Sequence, residues 1–193
     1  MGLKQGDTLF ISGGTGSVGA MAIPIAKSLG ATVYTNGSAD NAERVLALGV
    51  DRFIDYKKED YAEILRDVDC VLDTLGEREL AKELSVLKQG GSIVSLRAMP
   101  NGEFAKRSDM CAVKQFVFTM AGSKFDKMAA AKGQKYYFIF VHEDGEGLRR
   151  VSEIFDEKQI TASVDGVFSL DEVNKALQKV AAGGSKGKTI IRI

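Results

Sequence analysis

The sequence contains no tryptophan and little cysteine, proline or histidine: two, two and one in 193 residues. Cys70 and Cys111 show neither metal-ligand spacing nor a disulfide framework, which favours a reducing compartment. Lysine plus arginine and aspartate plus glutamate each total 26, so no net charge draws the chain to nucleic acid or an anionic membrane. No apolar run approaches the ~18 residues of a membrane span. We expect a cytoplasmic protein without nucleic-acid or membrane partners.

The few reactive side chains do not gather into a recognisable site. His142 has no second ligand near it in the sequence, so we expect a surface histidine and no metal in this chain. We expect Cys70 in the core and Cys111 packed within a mixed segment. Residues 103–135 hold seven Lys/Arg against three acids, interleaved with Phe and Met. We expect helices there that cover part of the protein and expose their basic residues to solvent, rather than a surface that binds a membrane or nucleic acid.

Short apolar runs alternate with segments of helical periodicity along the chain. The runs lack polar alternation, which is typical of strands buried on both faces of a parallel sheet that helices cover. Strands are expected at 8–12, 31–35, 51–55, 70–73, 92–96 and 136–141, and helices at 17–29, 41–48, 60–65, 78–87 and 147–157. Pro24 falls within the first helix, where we expect a local kink. The order predicts an α/β fold with a doubly wound, mainly parallel sheet and helices on both faces.

The last part of the chain has a different pattern. Residues 160–193 predict a strand, a helix and a strand, and Ser169 with Glu172 three positions later forms a capping box that predicts the helix start. We divide the chain into a main α/β domain at residues 1–159 and a return segment at residues 160–193.

A glycine-rich turn follows the first apolar run and opens the first helix. Gly14, Gly16 and Gly19 spell G-x-G-x-x-G. In this motif the first glycine permits a tight turn, the second lets the backbone approach a pyrophosphate, and the third lets helix and strand pack closely. The amides at the helix N-terminus attract phosphate, with the helix dipole behind them. A second strand–helix unit follows at the right distance, so the pattern predicts a Rossmann dinucleotide site.

The end of the second strand bears on which dinucleotide binds. An NAD-preferring site has an acid there, about 20 residues after the turn, for the ribose 2′-hydroxyl. This sequence has TNGS at residues 35–38 and no carboxylate before Asp40, which we expect to cap the next helix. Small polar residues leave room for a 2′-phosphate, and Arg44 one helical turn on can supply charge. We therefore expect NADP(H) rather than NAD(H).

Several further stretches resemble one family in order and spacing. They are "LKQGDTLFISGGTGSVG", "GVDRFIDYKKED", "DCVLDTLG", "KQGGSIVSLRAMP", "FIFVHEDGEGL" and "GKTIIRI". Together they resemble the medium-chain dehydrogenase/reductases, on the branch of zinc-type alcohol dehydrogenase-like proteins and quinone oxidoreductases. The resemblance runs essentially from end to end. It implies an NADP(H)-dependent oxidoreductase that moves hydride to or from a carbonyl, alcohol, enone or quinone.

The same resemblance implies roles for individual residues. The pyrophosphate would be held by Ser12, Gly13, Gly14, Thr15, Gly16, Ser17, Val18 and Gly19. The adenosine ribose and its phosphate would be held by Asn36, Gly37, Ser38 and Asn41, with Tyr56 at the adenosine end. The nicotinamide channel would be lined by Asp73, Thr74, Leu75, Gly76, Ser95, Leu96, Arg97, Phe140 and Val141, with Lys188 near the cofactor. Asn41 and Gly183 replace basic residues of some relatives, which weakens the case for NADP without reversing it.

Members of this family begin with a GroES-like catalytic domain, which carries any zinc ligands and half of the substrate cleft. The chain starts where the cofactor domain would begin, so we expect a fragment or a naturally short version without catalytic residues of its own. Residues 160–193 would pack on the absent domain. The resemblance also implies a homodimer that pairs through strand 136–141, because an unpaired strand edge invites another chain.

Two alternative functions come from different classes. One is a stand-alone NADP(H)-binding or redox-sensing module without catalysis; in-frame coding sequence upstream of Met1 would instead support the enzyme. The other is a short-chain dehydrogenase, since Gly13, Gly16 and Gly19 also fit the turn of that class. That class needs a tyrosine with lysine four positions later, and none of the five tyrosines has one. The short-chain alternative is therefore excluded.

Overall fold

A computed structural model describes residues 1–161, 163–183 and 187–193. The main sheet consists of β1 (Thr8–Ser12), β2 (Thr32–Gly37), β3 (Arg52–Asp55), β4 (Val68–Asp73), β5 (Leu87–Ser95) and β6 (Lys135–Phe138). Its helices are α1 (Ser17–Ser28), α2 (Ala42–Ala47), α3 (Tyr61–Ile64), α4 (Glu77–Val86), α5 (Gly102–Arg107), α6 (Ala112–Ala130) and α7 (Gly145–Glu157), with a 3₁₀ turn at Ala39–Asn41. Then come β7 (Val164–Ser169), a 3₁₀ turn at Leu170–Glu172, α8 (Val173–Ala182) and β8 (Lys188–Arg192). Residues 162 and 184–186 of the predicted return segment lie outside the described residues.

The strands of the main sheet are all parallel, in the order β3-β2-β1-β4-β5-β6. The chain winds outward from β1 to β3, returns to the centre at β4 and winds outward again to β6. This is the order of a doubly wound Rossmann sheet, so the predicted fold class is confirmed. The order reverses between β1 and β4, and a crevice opens beyond their carboxyl ends, where ligands of such sheets bind.

Successive residues of the central strand enter two different cores. Ile11 packs with Ile23 of α1 and Val45 of α2, whereas Phe10 packs with Leu80 of α4 on the opposite face. All five side chains are fully buried. Burial of one such side chain contributes roughly 1.5–3 kcal/mol before the cost of ordering it. Burial on both faces explains why the strands have no polar alternation.

The first helix runs without interruption from Ser17 to Ser28, one residue short of its predicted end. Pro24 lies inside it and is buried, together with Ile23 and Ala26. Proline has no N–H to donate within the helix, which costs helical stability. The buried apolar side chains on either side of Pro24 offset that loss. The kink at Pro24 stays a prediction.

The edge strand β6 is shorter than the sequence predicts. It ends at Phe138, which is in register with Ser95, the last residue of β5. Past that point Ile139 N–H still donates to the Ser95 carbonyl at 3.0 Å, and the neighbouring strand then ends. Without a strand to pair with, Phe140 and Val141 lie beyond the sheet. The prediction of a strand as far as residue 141 is therefore wrong.

The segment after β5 is helical, and all seven Lys and Arg side chains of residues 103–135 are exposed, as predicted. Its outer surface also carries apolar residues. One face of α6 packs on the core next to β6. The other face carries Val113, Phe116, Val117 and Met120, each between 55% and 73% exposed. These residues follow an i, i+3, i+4, i+7 spacing, so they form one apolar stripe along the helix. We call it the α6 stripe.

The two cysteines differ in environment. Cys70 is buried in β4, as predicted, whereas Cys111 is exposed. Cys111 directly precedes α6 in the short connection from α5, so no core surrounds it and the packing predicted for it is wrong. His142 is exposed, as predicted, with its Nδ1 3.0 Å from the Glu143 carbonyl oxygen.

The return segment forms a separate two-stranded parallel sheet of β7 and β8, connected through α8. Ser169 N–H donates to the Glu172 carboxylate at 3.4 Å, and the helical turn begins at the next residue, so the predicted capping box is confirmed. Val167 and Ile190 are in register across this sheet and are 49% and 40% exposed. The small sheet thus presents apolar side chains to solvent.

Candidate cofactor site

The glycine loop connects β1 to α1 at the carboxyl edge of the sheet, and its glycines act differently. Gly13 has a φ of +75°, which favours glycine, so the tight turn that we assigned to Gly14 falls one residue earlier. A Cβ on Gly14 would lie 2.0 Å from Thr35 Oγ1, and one on Gly19 would lie 2.2 Å from the Gly14 Cα. The loop therefore packs closely against both β2 and α1. A Cβ on Gly16 would meet nothing nearer than the Gly13 oxygen at 3.4 Å, so space there is open.

Two side chains at the end of β2 hold the loop in shape. Asn36 Oδ1 accepts a hydrogen bond from Gly13 N–H at 2.8 Å, and Thr35 Oγ1 accepts one from Gly14 N–H at 3.0 Å. The Thr35 hydroxyl in turn donates to the Ile11 carbonyl at 2.7 Å. Both side chains are buried. The amide oxygen of Asn36 is thus committed to the loop, and the contact of this residue with the ribose stays a prediction.

The first turn of α1 presents open amides. Gly16 is its N-cap, and Gly16 N–H donates to the Gly13 carbonyl at 3.0 Å. In the part of the chain that the structure describes, the N–H groups of Ser17, Val18 and Gly19 donate to no protein acceptor. The turn also contains no acidic side chain that would compete for them. Such amides, at the positive end of the helix dipole, are a binding site for phosphate groups.

Lys188 of β8 approaches this loop from the return segment. It lines a narrow pocket of about 40 Å³ together with Gly16, Ser17 and Arg44. A lysine is therefore brought close to the N-terminus of α1, and its position near the cofactor stays a prediction.

A larger cleft lies beyond the ends of β1, β2 and β3; we call it the strand-end cleft. Its volume is about 740 Å³, within the ~300–1,000 Å³ usual for small-molecule sites. Predicted site residues that line it are Gly13, Thr15, Asn36, Gly37, Ser38, Tyr56 and Leu75. Residues that sequence reasoning missed are Lys57, Lys58, Glu59, Asp60, Tyr61, Glu79 and Lys82. The loop with open amides and this cleft together fit a dinucleotide.

The wall of the strand-end cleft opposite β2 is built from α3 and α4. Tyr61 donates its hydroxyl to Glu79 at 2.9 Å. Lys82 Nζ pairs with the Asp60 carboxylate at 2.8 Å and lies 4.3 Å from the centre of the Tyr61 ring. Burial, followed by the nearby carboxylates, raises the pKa of Tyr61 above its ordinary value, so the hydroxyl stays protonated. The charge of Lys82 is therefore already matched by a protein carboxylate.

Arg44 of α2, just after the 3₁₀ turn that follows β2, does not line the strand-end cleft. Arg44 donates from Nη2 to the Thr15 carbonyl at 2.5 Å and lies 3.5 Å from Asn41 Oδ1, so it braces the glycine loop. Asp40 accepts a hydrogen bond from the Ser38 hydroxyl at 3.2 Å. It does not cap α2, which follows Asn41 without a side-chain cap, so that prediction is wrong.

The turn after β4 is held by one buried carboxylate. Asp73 Oδ1 accepts from Leu75 N–H and Gly76 N–H, both at 2.7 Å, and Oδ2 accepts from the Ser95 hydroxyl at 2.6 Å. Asp73 and Ser95 are fully buried. They join the ends of β4 and β5 and shape the crevice, with Leu96 N–H bonded to the Asp73 carbonyl at 3.1 Å.

The remaining predicted channel residues lie at the outer part of this edge. Leu96 is half-buried, and Arg97 is exposed. Phe140 and Val141, past the end of β6, are 67% and 89% exposed. They do not line the strand-end cleft, and their roles at the nicotinamide stay predictions.

A buried acid beneath the site was also missed by sequence reasoning. Glu83 of α4 is fully buried, and within the described chain neither of its carboxyl oxygens has a hydrogen bond of ordinary geometry, although the Ser12 hydroxyl and the Asp73 carboxylate are its polar neighbours. The Ser12 hydroxyl is likewise buried and without such a hydrogen bond, while the Ser12 carbonyl accepts from the Thr74 hydroxyl at 2.7 Å. Burial, and after it the charge of Asp73, raises the pKa of Glu83 to about 8. Glu83 is therefore mainly protonated at neutral pH.

Neither a metal centre nor a membrane span can be built from the described residues. They contain no group of three or more His, Cys, Asp or Glu side chains placed to hold a metal ion. None of their helices is both long and apolar enough to cross a bilayer. The side chains of the described residues do not form a zinc site, so no chemical step in this chain is assigned to a metal.

Comparison with known proteins agrees with this geometry. Residues 48–191 match a family model described as zinc-binding dehydrogenase. The chain is 33% identical to NAD(P)H oxidoreductase RTN4IP1, mitochondrial, of Danio rerio, over 96% of this chain and 49% of that protein. It is 28% identical to 2-methylene-furan-3-one reductase of Solanum lycopersicum, over 98% of this chain and 41% of that protein.

A solved structure shows the same likeness. The quinone oxidoreductase of Coxiella burnetii superimposes with a TM-score of 0.79 at 26% identity, over 99% of this chain and 54% of that chain. The chain spans about half the length of the relatives it matches. On the match to the family model, which covers well over half of its residues, this chain belongs to the zinc-binding dehydrogenases of the medium-chain dehydrogenase/reductase superfamily.

Proposed function

We propose that this chain is the NADP(H)-binding domain of a medium-chain oxidoreductase. The complete enzyme would move hydride between the nicotinamide and a carbonyl, alcohol, enone or quinone. The observation that carries the proposal is the set of open amides at Ser17, Val18 and Gly19, next to the unobstructed Gly16. Relatives named as an NAD(P)H oxidoreductase and a furanone reductase support the oxidoreductase class.

The choice of NADP(H) over NAD(H) rests on the end of β2. No acid occupies the ribose position, because Asn36 stands there and its oxygen is used by the glycine loop. Ser38 and Tyr56 line the strand-end cleft beside it. An acid at that point would hold a 2′-hydroxyl and repel a 2′-phosphate. Its replacement by neutral groups favours the phosphorylated cofactor.

In this proposal the chain binds and orients the cofactor. The nicotinamide, when bound, supplies the hydride chemistry. The α1 amides would hold the pyrophosphate, and Lys188 would add a positive charge beside it. The Asp73–Ser95 pair would keep the turns at the nicotinamide end in place. No residue of the described chain is assigned a catalytic step.

A catalytic domain outside this chain would supply the rest of the substrate cleft. Supporting this, the β7–β8 sheet packs against α8 but still has exposed apolar residues, which a further domain could cover. Val167 and Ile190 are the in-register pair on that exposed face. We propose residues 160–193 as the segment that packs on this domain, with residues 1–159 as the cofactor domain. A cytoplasmic location stays a prediction, and one relative carries the word mitochondrial in its name.

A homodimer through the β6 edge is part of the same proposal. β6 lies at the end of the sheet, with β5 as its neighbour in the described chain, so its other side presents unpaired backbone groups. Ile139 and Phe140 beside that edge are 41% and 67% exposed. Sedimentation of Phe140→Lys tests this: we expect a monomer, with a dimer for the unsubstituted chain. A dimer that survives the substitution would count against this pairing.

The function is tested by titrating the chain with NADPH and NADH while the fluorescence of the cofactor is followed. Tryptophan does not interfere, because the chain has none. We expect both to bind and NADPH to bind more tightly. In Gly16→Ala the added methyl enters the space proposed for the pyrophosphate, so we expect about tenfold or more weaker binding of both dinucleotides.

Gly145→Ala is the matched control. Gly145 also stands at the beginning of a helix, and a Cβ there meets nothing within 4 Å. We expect Gly145→Ala to bind like the unsubstituted chain. Equal affinity in the two variants would refute the glycine loop as the pyrophosphate site. Binding without turnover in the full-length product would favour the stand-alone module instead.

A further inference from the structure

The strand-end cleft contains two lysines to which no protein carboxylate is matched. Three lysines line it, and Lys82 is already paired with Asp60. Lys57 and Lys58 are exposed, and among the ion pairs of the described chain neither takes part. Glu59, the next residue, also lines the cleft and is likewise in none of these ion pairs, so two lysines face one carboxylate on this side of the cleft and a net positive charge remains.

The backbone fixes this pair of lysines next to the ribose end of β2. Gly37 and Asp55, the last residues of β2 and β3, are in register. Tyr56 N–H then donates to the Gly37 carbonyl at 3.3 Å. The two chains are thus still adjacent when they leave the sheet, so residues 56–58 follow beside Ser38.

Asp55 holds the turn that carries the lysines. Its Oδ1 accepts a hydrogen bond from Lys57 N–H at 3.1 Å, and its carbonyl accepts from Lys58 N–H and Glu59 N–H, each at 2.9 Å. The Asp55 side chain is buried, so it stays with the turn and is not free to occupy the cleft. The backbone of the two lysines is anchored while their side chains remain free to reach a ligand.

On the other side of the ribose position, no cation of the described chain lines the cleft. Arg44 is charged, but it donates to the Thr15 carbonyl and is not among the residues that line the cleft, and Asn41 has no charge. Asp40, which accepts from Ser38, is negative. A phosphate beside Ser38 would therefore need its positive partner from the turn after β3.

We propose that Lys57 and Lys58 are the residues that select a 2′-phosphorylated adenosine over one with a free 2′-hydroxyl. This inference rests on the proposed function, since it assumes that the adenosine half of a dinucleotide occupies the strand-end cleft. Lysine ammonium groups bind a phosphate dianion as point charges. Because both are exposed, the selectivity weakens as salt concentration rises.

The test uses the whole 193-residue chain with both lysines replaced, Lys57→Gln and Lys58→Gln together. NADPH, NADH and the adenosine fragment 2′,5′-ADP are titrated at low and high salt. We expect affinity for NADPH and 2′,5′-ADP to fall about tenfold or more, and affinity for NADH to stay within about twofold. The salt dependence of NADPH binding should become shallower than in the unsubstituted chain.

The matched control is Lys114→Gln with Lys132→Gln, which removes the same charge from two exposed positions outside the cleft. Thermal unfolding of both double variants checks that they are folded. If the cleft variant keeps the NADPH preference, or loses NADPH and NADH equally, the assignment of these lysines is wrong. If the unsubstituted chain binds neither dinucleotide, the proposed function itself fails and the inference falls with it.

Discussion

Replacement of Glu83 by glutamine should stabilise the chain in alkaline solution. Glu83 is fully buried, its carboxyl oxygens have no hydrogen bond of ordinary geometry in the described chain, and Asp73 adds a negative charge nearby. An ionised carboxylate in such a place is strongly disfavoured. Glutamine has the shape of the protonated acid and cannot ionise. The variant therefore keeps the packing and removes the titration.

The sign and size follow from proton linkage. The unfolded chain releases the Glu83 proton near its ordinary pKa of 4.5, and the folded chain keeps it until about 8. Between these values the folded state binds more protons, so raising the pH lowers the free energy of unfolding. Each tenfold difference in proton affinity corresponds to ~1.4 kcal/mol. Across the whole window, from 4.5 to about 8, the loss is on the order of 4–5 kcal/mol.

The assay is urea unfolding, followed by far-ultraviolet circular dichroism, from about pH 5 to about pH 9. We expect Glu83→Gln and the unsubstituted chain to be closest in stability at the acid end. Their difference should grow by ~1.4 kcal/mol per pH unit and level off above the folded-state pKa. A loss of this size is a large part of the ~5–15 kcal/mol that stabilises a typical domain.

Glu77→Gln is the control on the same helix. Glu77 is exposed in the first turn of α4, so it should not change the pH dependence. If the stability curves of Glu83→Gln and the unsubstituted chain run parallel over the whole range, Glu83 does not ionise in the folded state as reasoned. The physical account of the buried acid would then be wrong.

Other substitutions test the packing around the glycine loop and the exposure of the thiols. Thr35→Val should cost ~1–3 kcal/mol in urea unfolding, because Gly14 N–H and the Ile11 carbonyl both lose their hydroxyl partner; an unchanged midpoint would refute that role. Gly14→Ala should destabilise the chain by ~1–3 kcal/mol, since its Cβ would lie 2.0 Å from Thr35 Oγ1, and the loss should be larger than for Gly16→Ala. A thiol reagent should modify Cys111 rapidly in the folded chain and Cys70 only after unfolding, because Cys70 is buried and burial raises the pKa of its thiol. Rapid modification of two thiols per folded chain would contradict the buried environment of Cys70.

The fold was predictable because apolar patterning and glycine placement both point to it. Central strands such as β1 and β4 are buried on both faces, so each has a continuous apolar run, at residues 9–11 and 70–72, that is easy to detect. The extent of β6 was not predictable in the same way. "YYFIFV" is apolar throughout, and the strand ends at Phe138 only because β5 has already ended. The end of β6 is determined by its register with β5, a strand distant in sequence. The local sequence pattern therefore does not indicate where β6 ends.

The candidate site was predicted best where backbone geometry requires particular residue types. Gly14 and Gly19 are needed because side chains there would collide with neighbouring atoms. Asn36 shows the limit of this approach. Its position at the end of β2 was predicted, but the hydrogen bond that its side-chain oxygen accepts from Gly13 N–H was not, because that bond depends on the path of another loop.

Charged residues were the ones most often misjudged. Lys57 and Lys58 resemble an ordinary solvated turn in the sequence, and only the register of β2 with β3 brings them to the cleft. Glu83 did leave a signal, because it lies three residues after Leu80 and beside Leu84, both buried on the inner face of α4. An acid at such a position is a sign of a buried titratable group.

Binding and folding depend on the same polar side chains at the ends of the strands. Thr35, Asn36 and Asp73 each satisfy backbone amides of the loop that follows a strand, through hydrogen bonds within the protein. Hydrogen bonds of this kind restrict the loops, and a restricted loop costs less to order on binding. A substitution at one of these residues should weaken cofactor binding and reduce stability together, whereas Lys57 and Lys58, which hold no other side chain, should affect binding alone. That difference separates residues that build the site from residues that select its ligand.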